Sequence, residues 1–326
     1  MSIMLYSILA VLFGFALLVW GADRFVLGAS ALARNLGVSP LIIGLTIVGF
    51  GTSAPELLVS AIAAWEGNPA MGIGNVLGSN ITNIGLILGL TALIAPMTVH
   101  SVTLKREFPV LLLIMMLALF LMLDGELGQL DGGILLAGTV LLIAWMVRLG
   151  LNDRNGDPMA SEFAKEIPAQ FPTGKAVMWL VLGGITLLLS SRMLVWGAVN
   201  IAEWFGVSDL IIGLTIIAIG TSLPELAASI VSALKGEDDI AIGNVLGSNM
   251  FNLLAVLAMP GLIQPSSPPV DVLLRDFPVM FGLTIVLLAM SYGWRGTGHI
   301  NRIEGGILLC AYLGYLGWLY HDSVTV

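Results

Sequence analysis

The heptad GNVLGSN occurs twice, letter for letter, at Gly74–Asn80 and at Gly243–Asn249, 169 residues apart. Each copy lies in an apolar run, "AMGIGNVLGSNITNIGLILGL" from Ala70 and "AIGNVLGSNMFNLLAVLAM" from Ala241. At the same offset, "VSPLIIGLTIVGFGTSAPELLVS" from Val38 meets "VSDLIIGLTIIAIGTSLPELAAS" from Val207. From Val38 to Leu88, 28 of 51 positions are identical without a gap. The match then weakens but persists: "KREFP" ending at Pro109 faces "LRDFP" ending at Pro278. "DGGILL" from Asp131 faces "EGGILL" from Glu304, with four extra residues. Two unrelated lipid-facing helices share apolar composition, not a gapless series of the same Gly, Ser, Asn and Glu. The chain is therefore a duplicated unit.

The surrounding composition places this unit in a membrane. Of 326 residues, 57% are hydrophobic and 10% charged, whereas soluble domains carry about 25% charged residues. A helical crossing needs about 20 mostly apolar residues, and ten stretches qualify as candidates. They lie near Ile3–Trp20 (extendable to Leu32), Leu41–Trp65, Ile73–Ile94, Phe108–Leu123 and Ile134–Leu149. The second set lies near Ala176–Ala202, Leu210–Leu234, Ile240–Ile263, Phe277–Ser291 and Ile307–Tyr320. The expected fold is an all-α polytopic membrane protein with ten transmembrane helices. Residues 1–150 form a first five-helix repeat, 151–173 a linker, and 174–326 a second repeat.

Five is odd, so the second repeat enters the membrane the other way up. Inverted repeats of this kind are a plan of secondary transporters, whose site lies near the midplane between the halves. Of the 13 Lys and Arg, ten fall in alternate connections: Arg34, Lys105, Arg106, Arg148, Arg154, Lys165, Lys175, Lys235, Arg295 and Arg302. The positive-inside rule assigns these to the cytoplasm. Both termini are then expected outside and the central loop inside. No basic residue precedes the first span, which reads as a retained helix. The net charge of −8 says little about partners, since charges in loops matter here by their side of the membrane; no nucleic-acid partner is expected. The single cysteine, Cys310, excludes an intrachain disulfide framework and reads as a packing residue. The three histidines form no metal-ligand spacing. The acidic run Glu237–Asp239 reads as a solvated turn.

The chemistry concentrates in two motifs. GTSAPEL and GTSLPEL put Pro55 and Pro224 inside apolar spans, where a missing N–H and a steric clash break the helix ladder. Carbonyls near Gly49–Gly51 and Ala218–Gly220 lose their donors. Such backbone is tolerated at membrane depth where protein or a water-lined cavity covers it. Beside each break stands a glutamate, Glu56 or Glu225, with no Lys or Arg near in sequence. An intramembrane carboxylate is by default a functional candidate. Thr52, Ser53 and Glu56 share a helix face by their spacing, as do Thr221, Ser222 and Glu225. Ser79 with Asn83, and Ser248 with Asn252, are likewise four apart. Gly74, Gly78, Gly243 and Gly247 permit close helix approach, and taken alone these Gly and Ser positions also suit simple packing. Together the four segments supply carboxylates, hydroxyls, amide oxygens and carbonyls without imidazole or sulfur. That donor set suits a hard cation, and calcium, which takes about 6–8 oxygens in flexible geometry, fits best, with sodium as second occupant.

At these residues the chain resembles the calcium/cation antiporter superfamily, in its prokaryotic sodium/calcium exchanger-like branch. The resemblance covers essentially the whole chain and rests on the paired GTSxPEL and GNVLGSN segments. It implies ten helices in inverted repeats and exchange of Ca2+ against Na+ by alternating access in the cytoplasmic (inner) membrane of a prokaryote. In relatives, calcium lies between the glutamates matching Glu56 and Glu225, with contributions at positions matching Gly49, Thr52, Ala218 and Thr221. Sodium sites there use positions matching Ser53, Ser79, Asn83, Ser222, Ser248 and Asn252. Many relatives carry aspartate where this chain has Asn252, an acid linked to potassium use in potassium-dependent members. The neutral amides at Asn83 and Asn252 speak against potassium dependence. The central connection is too short for the calcium-sensing insertion of animal exchangers.

The expected function is Ca2+/Na+ antiport at a site between two glutamates, whose two negative charges balance one Ca2+. Ca2+/H+ or Na+/H+ antiport is the alternative, since a carboxylate also takes protons. A channel ranks lower, because an inverted repeat around a central acidic site favours a carrier. Nothing in the residues calls for an enzyme active site, a bound cofactor or an obligate protein partner; the expected partners are Ca2+, Na+ and the lipid bilayer.

Overall fold

The computed structural model describes residues 2–39, 42–99, 102–152, 162–165, 171–292 and 298–325. Most of the linker, 153–161 and 166–170, lies outside these described residues. The first repeat contains helix α1 (Ser2–Asn35) and the bent pair α2 (Ile43–Gly51 and Ala54–Trp65). It continues with α3 (Pro69–Ile94), α4 (Val102–Met122) and α5 (Gln129–Asn152). The second contains α6 (Thr173–Phe205), the bent pair α7 (Asp209–Thr221 and Leu223–Leu234), α8 (Asp238–Ile263), α9 (Val272–Ser291) and α10 (Arg302–Thr325). Among the described residues, seven helices are long and apolar enough to cross a membrane, or nine if each bent pair counts as one span. The expected Phe108–Leu123 stretch lies in α4, a helix of 21 residues, up to Met122, and Leu123 falls in the turn that follows.

Burial sorts these helices into two layers. The apolar windows of α3 and α8 are 78% and 94% buried within the protein, whereas α1, α5, α6 and α10 turn most of their surface outward. Cys310 is on the outward-facing part of α10 and exposed, a correction to its reading as a packing residue. With lipid outside, apolar burial gives little drive to pair helices, and close contact between small residues takes over. The long helices α1 and α6 show this. Gly14, Gly21 and Gly28 recur every seventh residue along α1, and a Cβ at Gly28 would lie 2.4 Å from the Leu180 nitrogen. Gly183 and Gly197 answer from α6, where a Cβ would meet the Phe25 nitrogen at 2.5 Å and the Ser7 carbonyl at 2.8 Å.

Short pairings tie each end of the bundle. Strand β1 (Met97–Val99) pairs antiparallel with β2 (Gly298–Ile300), Met97 opposite Ile300. An isolated bridge joins Leu127 to Ser266. These two pairings are repeat mates: 97 and 266 differ by the 169-residue offset, and 127 and 300 by that offset plus the four extra residues. The bridge lies where α4 meets α5 and α8 meets α9, β1 and β2 where α3 meets α4 and α9 meets α10.

At the β1/β2 end, the backbone N–H of Thr98 donates to the Asp238 carboxylate at 2.8 Å. Arg34 donates to the Ala164 carbonyl at 3.4 Å. The acidic run differs from expectation here. Glu237 and Asp239 are buried, 4% and 0% exposed, because Asp238 starts α8 and docks on β1. The linker also contributes a buried residue: Phe163 is 5% exposed and packs its ring over Gly44, leaving no room for a Cβ there.

Candidate cation-binding site

Both proline motifs break their helices as the missing N–H requires. The limbs of α2 and of α7 are each bent by 43°. Ser53 and Ser222 sit at the bends with almost identical backbone angles, φ −86°, ψ 9° and φ −85°, ψ 9°. Pro55 and Pro224 occupy the first turn of the following limb, where no N–H is needed. Each bend is preceded by a π-helical segment, Ile43–Val48 or Gly213–Ile217, and two more begin at Asn83 and Asn252. Such widened turns cluster at functional sites. Sequence periodicity gave no sign of them, since one inserted residue per turn leaves an apolar run apolar.

The two glutamates lie fully enclosed between the halves, both 0% exposed. Their hydroxyl partners differ from those expected from helix spacing. The break turns Ser53 away from its own glutamate, and its hydroxyl donates to Glu225 Oε1 at 3.2 Å. Ser222 donates to Glu56 Oε1, also at 3.2 Å. Each repeat thus holds the other's carboxylate. Ser248 adds a second donor to Glu225 Oε1 at 3.3 Å, while its mate Ser79 donates to Asn75 Oδ1 at 3.4 Å.

The remaining expected residues surround this pair. Thr52 Oγ1 lies 3.3 Å from the Gly49 carbonyl, and Thr221 Oγ1 lies 3.4 Å from that of Ala218. Ser248 also approaches the Gly49 carbonyl at 3.5 Å. Asn83 and Asn252 are buried in the same polar interior, but their amide nitrogens bond other asparagines: Asn83 to Asn249 Oδ1 at 2.9 Å, Asn252 to Asn80 Oδ1 at 3.1 Å. Four residues escaped the sequence reading although the opening heptad contains them. Asn75 Oδ1 accepts from Thr221 at 3.1 Å and Asn244 Oδ1 from Thr52 at 3.3 Å, fixing both threonine hydroxyls. Asn80 and Asn249 make the amide bonds just described. Their signal was their identity in both copies, overshadowed there by the glycines and serines.

Among the described residues of this core, buried acceptors without a donor outnumber buried donors without an acceptor, of which Asn244 Nδ2 is one. Glu56 Oε2, Glu225 Oε2, Asn83 Oδ1 and Asn252 Oδ1 are buried and find no donor among the described residues. Neither glutamate forms an ion pair with Lys or Arg there. Buried acceptors and charges without partners are costly, and this arrangement of oxygens suits a cation. Two carboxylates, two threonine hydroxyls and the Gly49 and Ala218 carbonyls supply enough oxygens for calcium, which takes about 6–8.

Access to the site breaks the repeat symmetry. Gly74 and Gly78 of α3 press against α7 backbone: a Cβ would lie 2.5 Å from the Leu210 carbonyl and 2.6 Å from that of Leu214. Their mates Gly243 and Gly247 instead line a cavity of about 670 Å³, and none of the described residues lies within 4 Å of a Cβ at Gly247. This cavity reaches Gly49, Thr52 and Asn244 at its inner end and passes Ser30, Phe163 and Ile240 towards the β1/β2 end. Asp23 of α1 lies on its wall.

Comparison with known proteins adds four findings. The family described as Sodium/calcium exchanger protein matches residues 6–148 and 175–321. CaxA of Alkalimonas amylolytica is 53% identical over 312 residues, 96% of this chain and 98% of that one. The sodium/calcium exchanger MaX1 of Methanosarcina acetivorans is 33% identical over 349 residues, 97% of this chain and 99% of its own. Among solved structures, the sodium-calcium exchanger NCX_Mj soaked with Na+ and Sr2+ superposes with TM-score 0.68 at 31% identity, covering 96% of this chain and 98% of that one.

Proposed function

The chain belongs to the sodium/calcium exchanger family of integral-membrane cation antiporters, and from that premise we propose that it exchanges Ca2+ for Na+ by alternating access at Glu56 and Glu225. One observation carries the reading: each carboxylate has one oxygen held by a serine of the opposite repeat and the other oxygen buried without a donor. Two negative charges against one Ca2+ give a near-neutral loaded site, which crosses a low-dielectric interior at far lower cost than a charged one. Replacement by two Na+ keeps the same balance.

The proposed topology is ten crossings in two inverted five-helix repeats. Its support is the reciprocal serine bonds and the mated end pairings, Met97–Ile300 and Leu127–Ser266. The β1/β2 end, which carries Arg34, faces the cytoplasm by the positive-inside rule, with both termini outside. The cavity then opens inward, and the packed Gly74/Gly78 seam is the outer closure. Exchange of these two roles between the seams is the alternating step.

The test is Ca2+ uptake into proteoliposomes with a Na+ gradient and a pH gradient imposed separately. Uptake driven by the Na+ gradient supports the reading. Uptake driven only by the pH gradient replaces it with Ca2+/H+ exchange.

A further inference from the structure

The geometry points to Asn80 and Asn249 as positioning residues that hold the amides of Asn252 and Asn83 with their carbonyl oxygens available to the transported cation, and so set the balance between Na+ and Ca2+. This inference rests on the antiport reading above and deepens it.

Asn80 and Asn249 close the two copies of the heptad, and both are 1% exposed. They clasp each other across the centre of the molecule: Asn80 Nδ2 donates to the Asn249 carbonyl at 3.3 Å, and Asn249 Nδ2 to the Asn80 carbonyl at 3.4 Å. Asn80 Nδ2 also lies 3.5 Å from Met280 Sδ. With their nitrogens committed to these carbonyls, their Oδ1 atoms are left as acceptors facing the other repeat. There each takes the amide nitrogen of the asparagine that opens the π-helical segment, Asn252 onto Asn80 and Asn83 onto Asn249. A planar amide has two ends, so fixing its nitrogen fixes its oxygen. The oxygens so fixed, Asn83 Oδ1 and Asn252 Oδ1, are the two buried side-chain amide oxygens without a donor among the described residues. The clasp therefore determines which end of each site amide is free to meet a cation.

A neutral oxygen matters more to sodium than to calcium. Calcium is held by Glu56 and Glu225 as one ion, whereas the two Na+ that balance the same charge need more oxygens than this pair shares, and Asn83 Oδ1 and Asn252 Oδ1 are buried acceptors left for them. Loss of orientation at Asn252 thus weakens Na+ first.

The test is a double-mutant cycle on the full chain in proteoliposomes, reading half-saturating Na+ and Ca2+ for exchange. Asn80→Ala is expected to raise half-saturating Na+ about tenfold, the scale of one oriented hydrogen-bonding group, and to move Ca2+ clearly less. In an Asn252→Ala background the same change adds less than about twofold, because the residue it positions is gone. An equal shift for both ions, or the same factor in both backgrounds, assigns Asn80 to folding alone and overturns the inference. An Asn252→Ala protein with wild-type half-saturation for both ions also overturns it, while leaving the antiport reading intact. Absence of exchange by the unmodified protein overturns both. If Asn80→Ala does not yield monodisperse protein, Asn249→Ala against Asn83→Ala poses the same test on the mated pair.

Discussion

Glu225→Gln removes one negative charge from the proposed site and preserves the shape of the side chain. The structure separates its two consequences. The bonds from Ser53 and Ser248 reach Oε1 at 3.2 and 3.3 Å, and the amide oxygen of glutamine accepts them equally well, so the local fold is retained. The amide nitrogen then takes the place of Oε2, the buried oxygen without a donor, and points N–H groups where a cation needs an acceptor. Removing one partner of a buried, compensated charge set costs about 3–5 kcal/mol. At 1.4 kcal/mol per decade this weakens calcium binding roughly 140- to 3,700-fold. Calcium at about 100 times its dissociation constant stabilises the native protein by about 2.7 kcal/mol. For the variant the same concentration gives about 0.3 kcal/mol or less. Calcium uptake in proteoliposomes and thermal unfolding with and without calcium read both effects. The expected result is abolished uptake and no calcium-dependent stabilisation in a monodisperse protein. Wild-type uptake, or undiminished stabilisation by calcium, would refute the assignment of Glu225.

Further outcomes follow from the asymmetry of the seams and from the linker. A Cβ at Gly213 would lie 2.3 Å from the Met71 carbonyl, so Gly213→Ala should destabilise the protein by about 1–3 kcal/mol by overpacking, measurable by thermal unfolding. Gly247→Ala meets open space and should leave stability unchanged while lowering flux, because the mated seam can no longer close; normal flux would argue against exchange of roles between the seams. A cysteine at Ala228, on the cavity wall, in a Cys310→Ala background, should react with an impermeant thiol reagent from the cytoplasmic face and not from outside. At the cavity mouth Glu162 accepts from the Ile240 N–H at 3.1 Å. Burial first, then the charges of Asp239, Glu237 and Asp238, push its carboxyl up to about 7 against the Ile240 bond. Docking of Glu162–Lys165 is then strongest at low pH and lost as pH rises through about 7, since the undocked carboxyl titrates near about 4.3. Hydrogen exchange of these amides, corrected for intrinsic rate, should speed up from about pH 4 to about pH 7 and level off above it; constant protection would contradict this.

Much of this architecture is legible in the chain because duplication writes it twice. Glu56 and Glu225, their neighbouring Thr and Ser, and the proline breaks stand out as polar identities in apolar surroundings. What escapes is what depends on the break itself. Ser53 shares a face with Glu56 only if the helix is continuous; the bend at Ser53 sends its hydroxyl to Glu225 instead. Asn75, Asn244, Asn80 and Asn249 resemble packing polar residues until the opposing helix supplies their partners. The seams are beyond reach from sequence in a stronger sense. Halves that carry the same motifs have no letter there that says which of them is closed, and the difference between Gly78 and Gly247 exists only in three dimensions. Phe163 and the buried Glu237 and Asp239 were obscured by polar neighbours, which makes a docked segment look solvated.

The location of the bound ion tests the central claim most directly. Crystals of the protein grown with Ca2+ or Sr2+, measured for anomalous scattering, are expected to show one strong peak about 2.3–2.6 Å from carboxylate oxygens of both Glu56 and Glu225. A peak bound to only one of them, or a divalent ion held elsewhere with this pair empty, would contradict the account.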